Sequence, residues 1–193
     1  VSSEGENNIH FVCTRDEGWQ IVEKNKRYWL SNCGCREQRG RCKRSRMDIC
    51  LDFQERNTGG GSNLHEVRKE EIERVFAEAK EKHLVVRPFR DDQDRTRVAG
   101  ICFCCDDCCG YFLDPREKCD KGRYRETTDL DNCTHCSECV EVCYFGARSM
   151  VDGKLVVAAD RCYGCGLCTD ICPTGCIGMV VRSTVTNKIK KEV

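Results

Sequence analysis

A chain of 193 residues with twenty cysteines has room for one or two small domains, and thiol chemistry rather than the size of an apolar core sets its fold. Lysine plus arginine equals aspartate plus glutamate at 32 each, so net charge names no polyanionic partner, and nucleic acid is not expected as one. No stretch approaches the roughly 20 apolar residues that cross a bilayer, so no membrane span is expected, nor is a signal segment at the start.

Residues 1–53 carry short runs of strand character, at 20–22 and 28–30, around a first cysteine group of Cys33, Cys35, Cys42 and Cys50. Arg36, Arg39, Arg41, Lys43, Arg44 and Arg46 run among them. Such a run forms a solvated face, offsets thiolate charge, or docks an acidic partner. Residues 57–63 (Asn-Thr-Gly-Gly-Gly-Ser-Asn) read as a flexible connector. Asn63 is then placed to cap a helix over 64–83, with Val67, Ile72, Val75, Phe76 and Ala79 near one face. Residues 84–89 read as a strand, which Pro88 pushes to a sheet edge. A polar turn at 91–95 leads to a strand at 98–103, which runs into Cys102, Cys104, Cys105, Cys108 and Cys109. A charged stretch over 114–129 follows, with a domain boundary expected near Arg125.

An internal repeat organises the last third. Cys133, Cys136, Cys139 and Cys143 recur 29 residues later as Cys162, Cys165, Cys168 and Cys172, followed by Pro173. Asp131 aligns with Asp160, Val142 with Ile171, and Met150 with Met179. Residues 147–150 and 155–157 read as a hairpin turned at Asp152-Gly153, and 178–181 as the matching late strand. Each half is then a short helix after its third cysteine, flanked by strands, and neither half buries a core alone.

The spacing Cys-x2-Cys-x2-Cys-x3-Cys is that of four thiolates holding a 4Fe–4S cubane, here in tandem. It favours reduced thiols and a cytoplasmic setting over a secreted disulfide scaffold. Upstream, Cys33, Cys35, Cys42 and Cys50 suffice for one more cubane, and the five cysteines of 102–109 for another with one to spare. Adjacent cysteines such as Cys104 and Cys105 point apart on an extended chain. They therefore serve different centres, or one is free, and the two groups are candidates to exchange ligands. Zinc is the competing reading and is less favoured. It prefers Cys-x2–4-Cys pairs, which Cys-x-Cys and adjacent cysteines fit poorly. Cys176 aligns with Ala147 and reads as a buried free thiol. His135, inside the first cysteine loop, reads as a loop side chain.

Residues of about 127–182, down to Cys172-Pro173-Thr174-Gly175, resemble a bacterial-type two-cluster 4Fe–4S ferredoxin domain. In such domains the fourth cysteine of each run ligates the other cluster. The resemblance therefore implies one cluster on Cys133, Cys136, Cys139 and Cys172, and a second on Cys162, Cys165, Cys168 and Cys143. The fourth thiolate is expected from the start of a helix in the other half. Tyr144 departs from the family's usual proline after the fourth cysteine. More loosely, Asn32-Cys33-Gly34-Cys35-Arg36, Cys50-Leu51 and the dense 101–110 segment resemble a group of anaerobic 4Fe–4S proteins. These join such a region to a C-terminal dicluster ferredoxin domain, but the likeness supplies no reaction.

The fold expected is α+β. A cysteine-rich metal-binding domain spans 1–125, a pseudo-symmetric ferredoxin-like dicluster domain 126–182, and a polar tail 183–193. The function expected is electron transfer, by a subunit or carrier with two ferredoxin 4Fe–4S clusters and one or two more, serving a redox enzyme partner. Two alternatives are a redox enzyme with an unusual N-terminal cluster as its active site, and a cluster-based redox sensor acting through the basic run. No Walker loop or Gly-x-Gly-x2-Gly fingerprint is present, and no catalytic residue is assigned.

Overall fold

The structure, a computed structural model, describes residues 8–56, 60–114 and 116–182. The tail expected over 183–193 and residues 57–59 of the connector lie outside the described residues. The elements are mixed α and β.

The N-terminal half is built on one antiparallel sheet. Its strands are β1 (Tyr28–Ser31), β2 (Cys50–Asp52), β3 (His65–Val67), β4 (Val85–Arg90) and β5 (Val98–Cys104), in the order β3-β1-β2-β5-β4. Two helices, α1 (Arg15–Glu23) and α2 (Gly34–Arg39), flank β1 in the chain. A third, α3 (Lys69–Glu81), lies between β3 and β4.

Two local expectations are corrected. Residues 20–22 belong to α1 and form no strand. Thr14 and Glu17 close a full capping box, with Thr14 N–H donating to the Glu17 carboxylate at 3.0 Å and Glu17 N–H to Thr14 Oγ1 at 3.2 Å. That start signal outweighs the β-propensity of Ile21-Val22. The helix expected over 64–83 begins only at Lys69, because residues 65–67 pair with β1. Asn63 takes φ 59°, whereas an N-cap is normally extended, and Arg68 occupies the cap position instead. The apolar face is otherwise as patterned, with Ile72, Val75, Phe76 and Ala79 buried.

β4 lies at the sheet edge, as Pro88 requires. A strand residue points its N–H and C=O the same way, so the missing Pro88 N–H faces away from β5. That outer edge is covered by residues 9–13: Phe11 N–H donates to Pro88 O, Cys13 N–H to Val86 O, and Arg90 N–H to Ile9 O.

Period-two alternation gives the sheet two different faces. One face packs Leu30, Leu51, Val86, Ile101 and Phe103 against Val22, Ile72, Val75, Phe76 and Ala79 of α1 and α3. The other carries Val85, Arg87 and Phe89 on β4 opposite Cys104, Cys102 and Gly100 on β5. Gly100 sits where strands crowd most: a Cβ there would lie 2.2 Å from Leu51 O and 2.3 Å from the Phe89 ring. Gly100→Ala is expected to cost about 2–3 kcal/mol through overpacking, read as a lower unfolding midpoint in denaturant.

The C-terminal third runs β6 (Tyr124–Thr128), α5 (Glu138–Glu141), β7 (Arg148–Val151), β8 (Lys154–Val157), α6 (Leu167–Ile171) and β9 (Ile177–Val181). β6 pairs with β9 and β7 with β8, so each strand–helix–strand half is tied to the other by two ribbons. The remaining helix, α4 (Gly110–Leu113), follows the dense cysteine run. The two halves of the chain share one apolar cluster. It contains Val12, Val85, Cys104 and Cys109 from one side and Val142 and Leu167 from the other, with Tyr111, Phe112, Tyr144, Phe145 and Tyr163 packed on it.

Candidate metal centres

All twenty cysteines are free thiols, and all but Cys13 and Cys119 gather in four places. In the C-terminal third, Cys133, Cys136 and Cys139 line a small cavity together with Cys172 from the other half. Cys162, Cys165 and Cys168 line a second together with Cys143. The chain therefore brings each fourth cysteine across to the opposite run. It does so from the end of a one-turn helix, not from its start: Cys143 follows the last turn of α5, and Cys172 is the C-cap of α6. The helix already contains the third cysteine, so the x3 gap is spent on the turn itself.

The loops are coiled tightly around their central cysteines. His135 (φ 54°) and Ser137 (φ 68°) flank Cys136, and Gly164 (φ 81°) and Gly166 (φ 80°) flank Cys165 in the other repeat. Left-handed residues of this kind turn backbone N–H groups inward, which suits an anionic guest. His135 N–H donates to Cys133 Sγ at 3.4 Å, and Glu126 N–H to Cys162 Sγ at 3.5 Å. The His135 ring is engaged elsewhere: Nδ1 accepts the Leu155 N–H at 3.0 Å, tying the loop to β8. Cys172 has its thiol lowered to about 7; burial opposes this, and hydrogen bonds with Thr174 and Cys176 prevail. Cys176 is half-buried, lines the same cavity, and lies 3.5 Å from Cys172 Sγ to Sγ.

In the N-terminal half, β5 sorts the dense cysteines by face. Cys105 joins the helix-side core with Cys108, and Cys42 comes up from the loop after α2. Cys42 and Cys105 lie 3.6 Å apart, and Cys105 and Cys108 3.4 Å. Cys102 and Cys104 point to the other face and belong to a string of thiols. There Cys50 lies 4.0 Å from Cys102; Cys104, Cys109, Cys35 and Cys33 follow as neighbours that act on one another's thiols, and Gly110 N–H donates to Cys35 Sγ at 3.4 Å. Both N-terminal groups thus combine cysteines from the first and second sequence groups. Cys13 and Cys119 are buried in the apolar clusters.

Three arginines in the core lie against these sulfurs, and the cysteine pattern alone does not reveal them. Arg148 donates to Cys139 Sγ at 3.3 Å and to Thr128 Oγ1 at 2.8 Å, and it pairs with buried Glu126. Arg87, 4 % exposed, donates to Cys109 Sγ at 3.2 Å. Burial opposes its charge, but Cys104, Cys109 and Cys102 outweigh that and hold its pKa raised. Arg36, fully buried, donates to Phe103 O at 3.1 Å, and its charge acts on Cys42, Cys33 and Cys108. Arg36 belongs to the basic run that can offset thiolate charge, and Arg87 is visible only as a lone arginine inside the apolar run of β4. His10, which no sequence motif singled out, lies with Nε2 4.0 Å from Cys102 Sγ, and its pKa is pushed down to about 3 by burial and then by Arg87.

Half of the basic run is paired internally. Arg44 pairs with Asp106, Lys43 with Asp107, and Arg46 with Asp48, Glu71 and Glu78. Tyr144, where the usual ferredoxin domain has proline, packs on both apolar clusters. Its ring stands edge-on to Phe112 at 5.8 Å and under Arg44 at 5.0 Å. Tyr144→Ala is expected to leave the iron content unchanged and to cost about 2–3 kcal/mol, below the value for a fully buried ring, measured by denaturant unfolding.

Two comparisons bear on these centres. A family model described as a 4Fe-4S dicluster domain matches residues 132–177. No curated protein matches the chain. Among the described residues, no helix is long and apolar enough to cross a membrane.

Proposed function

We propose that this is an electron-transfer iron–sulfur protein or subunit, with two 4Fe–4S clusters in crossed ligand sets and at least one further centre in the N-terminal half. One cluster is held by Cys133, Cys136, Cys139 and Cys172, and the other by Cys162, Cys165, Cys168 and Cys143. The observation that carries this reading is that the two cavities are lined by those two sets of four. Four thiolates around one small cavity, with N–H groups and a buried arginine turned onto the sulfurs, suit a group rich in negative charge. A third centre draws its ligands from the string of Cys33, Cys35, Cys50, Cys102, Cys104 and Cys109. These supply more thiols than one cubane needs.

The order of groups through the molecule supports a relay. Arg148 bonds Cys139 of the first set, and its charge also acts on Cys168 of the second. Beyond the second set, Phe145 and Tyr163 stack at 4.3 Å, and Phe145 lies 6.0 Å from Tyr111, which follows the string at Cys109. Electrons would thus pass between the outer cluster, beside exposed Cys136, and the N-terminal thiols by way of the inner one. The donor and acceptor are redox proteins, and internal pairing of the basic run disfavours the sensor reading. Metal and sulfide analysis of anaerobically purified protein tests this: at least eight iron with matching sulfide is expected from two cubanes, and fewer than four iron per chain would overturn it.

A further inference from the structure

Cys42, Cys105 and Cys108 differ from every other thiol group in the molecule. Their three sulfurs all lie within 4.8 Å of one another, the one group of potential metal ligands so compact among the described residues. Two of the separations are 3.6 and 3.4 Å. Thiolates sharing one tetrahedral ion at a bond length near 2.3 Å stand about 3.8 Å apart. Thiolates on a cubane bind different irons and diverge from its corners, and accordingly no three thiols gather in this way around the two C-terminal cavities, where Cys172 and Cys176 alone form a close pair at 3.5 Å. Cys105 and Cys108 also form a Cys-x2-Cys pair, the spacing zinc sites prefer. The dense run conceals that pair until β5 turns Cys102 and Cys104 to its other face.

The surroundings suit a divalent ion. Cys105 and Cys108 are 0 % and 3 % exposed, while Cys42 is half-buried and opens toward solvent. Three thiolates and a divalent cation leave one negative charge, and fully buried Arg36 beside Cys42 and Cys108 supplies the positive one. The acidic residues between the two cysteines, Asp106 and Asp107, are turned to Arg44 and Lys43 instead. Cys33 meets Cys35 in the neighbouring string and is absent from the compact triad.

We propose that Cys42, Cys105 and Cys108 hold a single zinc ion on three thiolates, with the fourth position taken by a solvent-derived oxygen donor. Three protein ligands and one exchangeable position characterise zinc sites that bind a further ligand. The ion also fastens the loop after α2 to the end of β5. This goes beyond the iron–sulfur reading and stands or falls apart from it.

Zinc K-edge X-ray absorption on the anaerobically purified full chain tests the proposal. About one zinc per chain with three sulfur scatterers near 2.3 Å and one lighter atom is expected. Cys42→Ser, at the half-buried member, should then remove the zinc while the paramagnetic resonance of the C-terminal clusters stays as in wild type. Absence of zinc, a four-sulfur shell, or loss of about four iron from Cys42→Ser would overturn it. The absorption measurement on wild type decides the matter even where the variant does not fold, and the iron and sulfide content of that sample judges the ferredoxin clusters separately.

Discussion

Replacing both Cys172 and Cys176 by alanine is expected to remove about four iron per chain and to leave the cluster held by Cys162, Cys165, Cys168 and Cys143 in place. Cys172 lies in the second repeat, so a reading by sequence proximity would assign the loss to the second run. The structure places it instead at the cavity of Cys133, Cys136 and Cys139. Cys176 has to be removed as well, because its sulfur lies 3.5 Å from that of Cys172 and lines the same cavity. Cys172→Ala alone should therefore retain a cluster at reduced occupancy, with a spectrum altered from wild type. Since ligation and folding are coupled in small metal-centred domains, the double variant should also unfold at lower denaturant. Damage confined to the other cluster, or full iron content in the double variant, would refute the crossed sets.

Arg148→Met is the second large effect. The guanidinium neutralises Glu126 and donates to Cys139 Sγ, with the arginine side chain 1 % and the glutamate 6 % exposed. Removing one partner of a buried ion pair costs about 3–5 kcal/mol. Arg148→Met with Glu126→Gln relieves the stranded charge and isolates the electronic effect. A hydrogen bond and positive charge favour the more negative, reduced cluster. If that preference is about 1 kcal/mol, its loss lowers the one-electron potential by about 40 mV. Spectroelectrochemical titration of the double variant reads this; a potential that rises or stays put would show that Arg148 serves packing alone.

The C-terminal half was legible because its chemistry is written in consecutive residues. The tandem cysteine spacing, the turn at Asp152-Gly153 and the repeat period lead directly to β7, β8 and β9, and the ferredoxin resemblance implies the crossed sets that line the two cavities. What stayed hidden depends on contacts between distant segments. Arg148 and Arg87 sit on sulfurs 9 and 22 residues away, and no local spacing marks them; Arg36 belongs to the basic run, but its approach to Cys108 is non-local. The division of Cys104 from Cys105 follows from strand alternation, but which cysteines wait on each face depends on sheet order. Likewise residues 65–67 have helical patterning and are taken by the free edge of β1, while the capping box at Thr14 is a local signal that outweighs two β-branched residues.

Two 4Fe–4S clusters in one small domain, as proposed, would sit close enough to exchange electrons. Electron paramagnetic resonance of the protein under stepwise reduction tests it most directly. The account predicts a simple signal when one cluster is reduced, which broadens into a spin-coupled spectrum as the second C-terminal cluster accepts its electron, with the coupling lost in the Cys172→Ala/Cys176→Ala variant. Two signals that grow independently without broadening each other, or coupling that survives in the double variant, would contradict it.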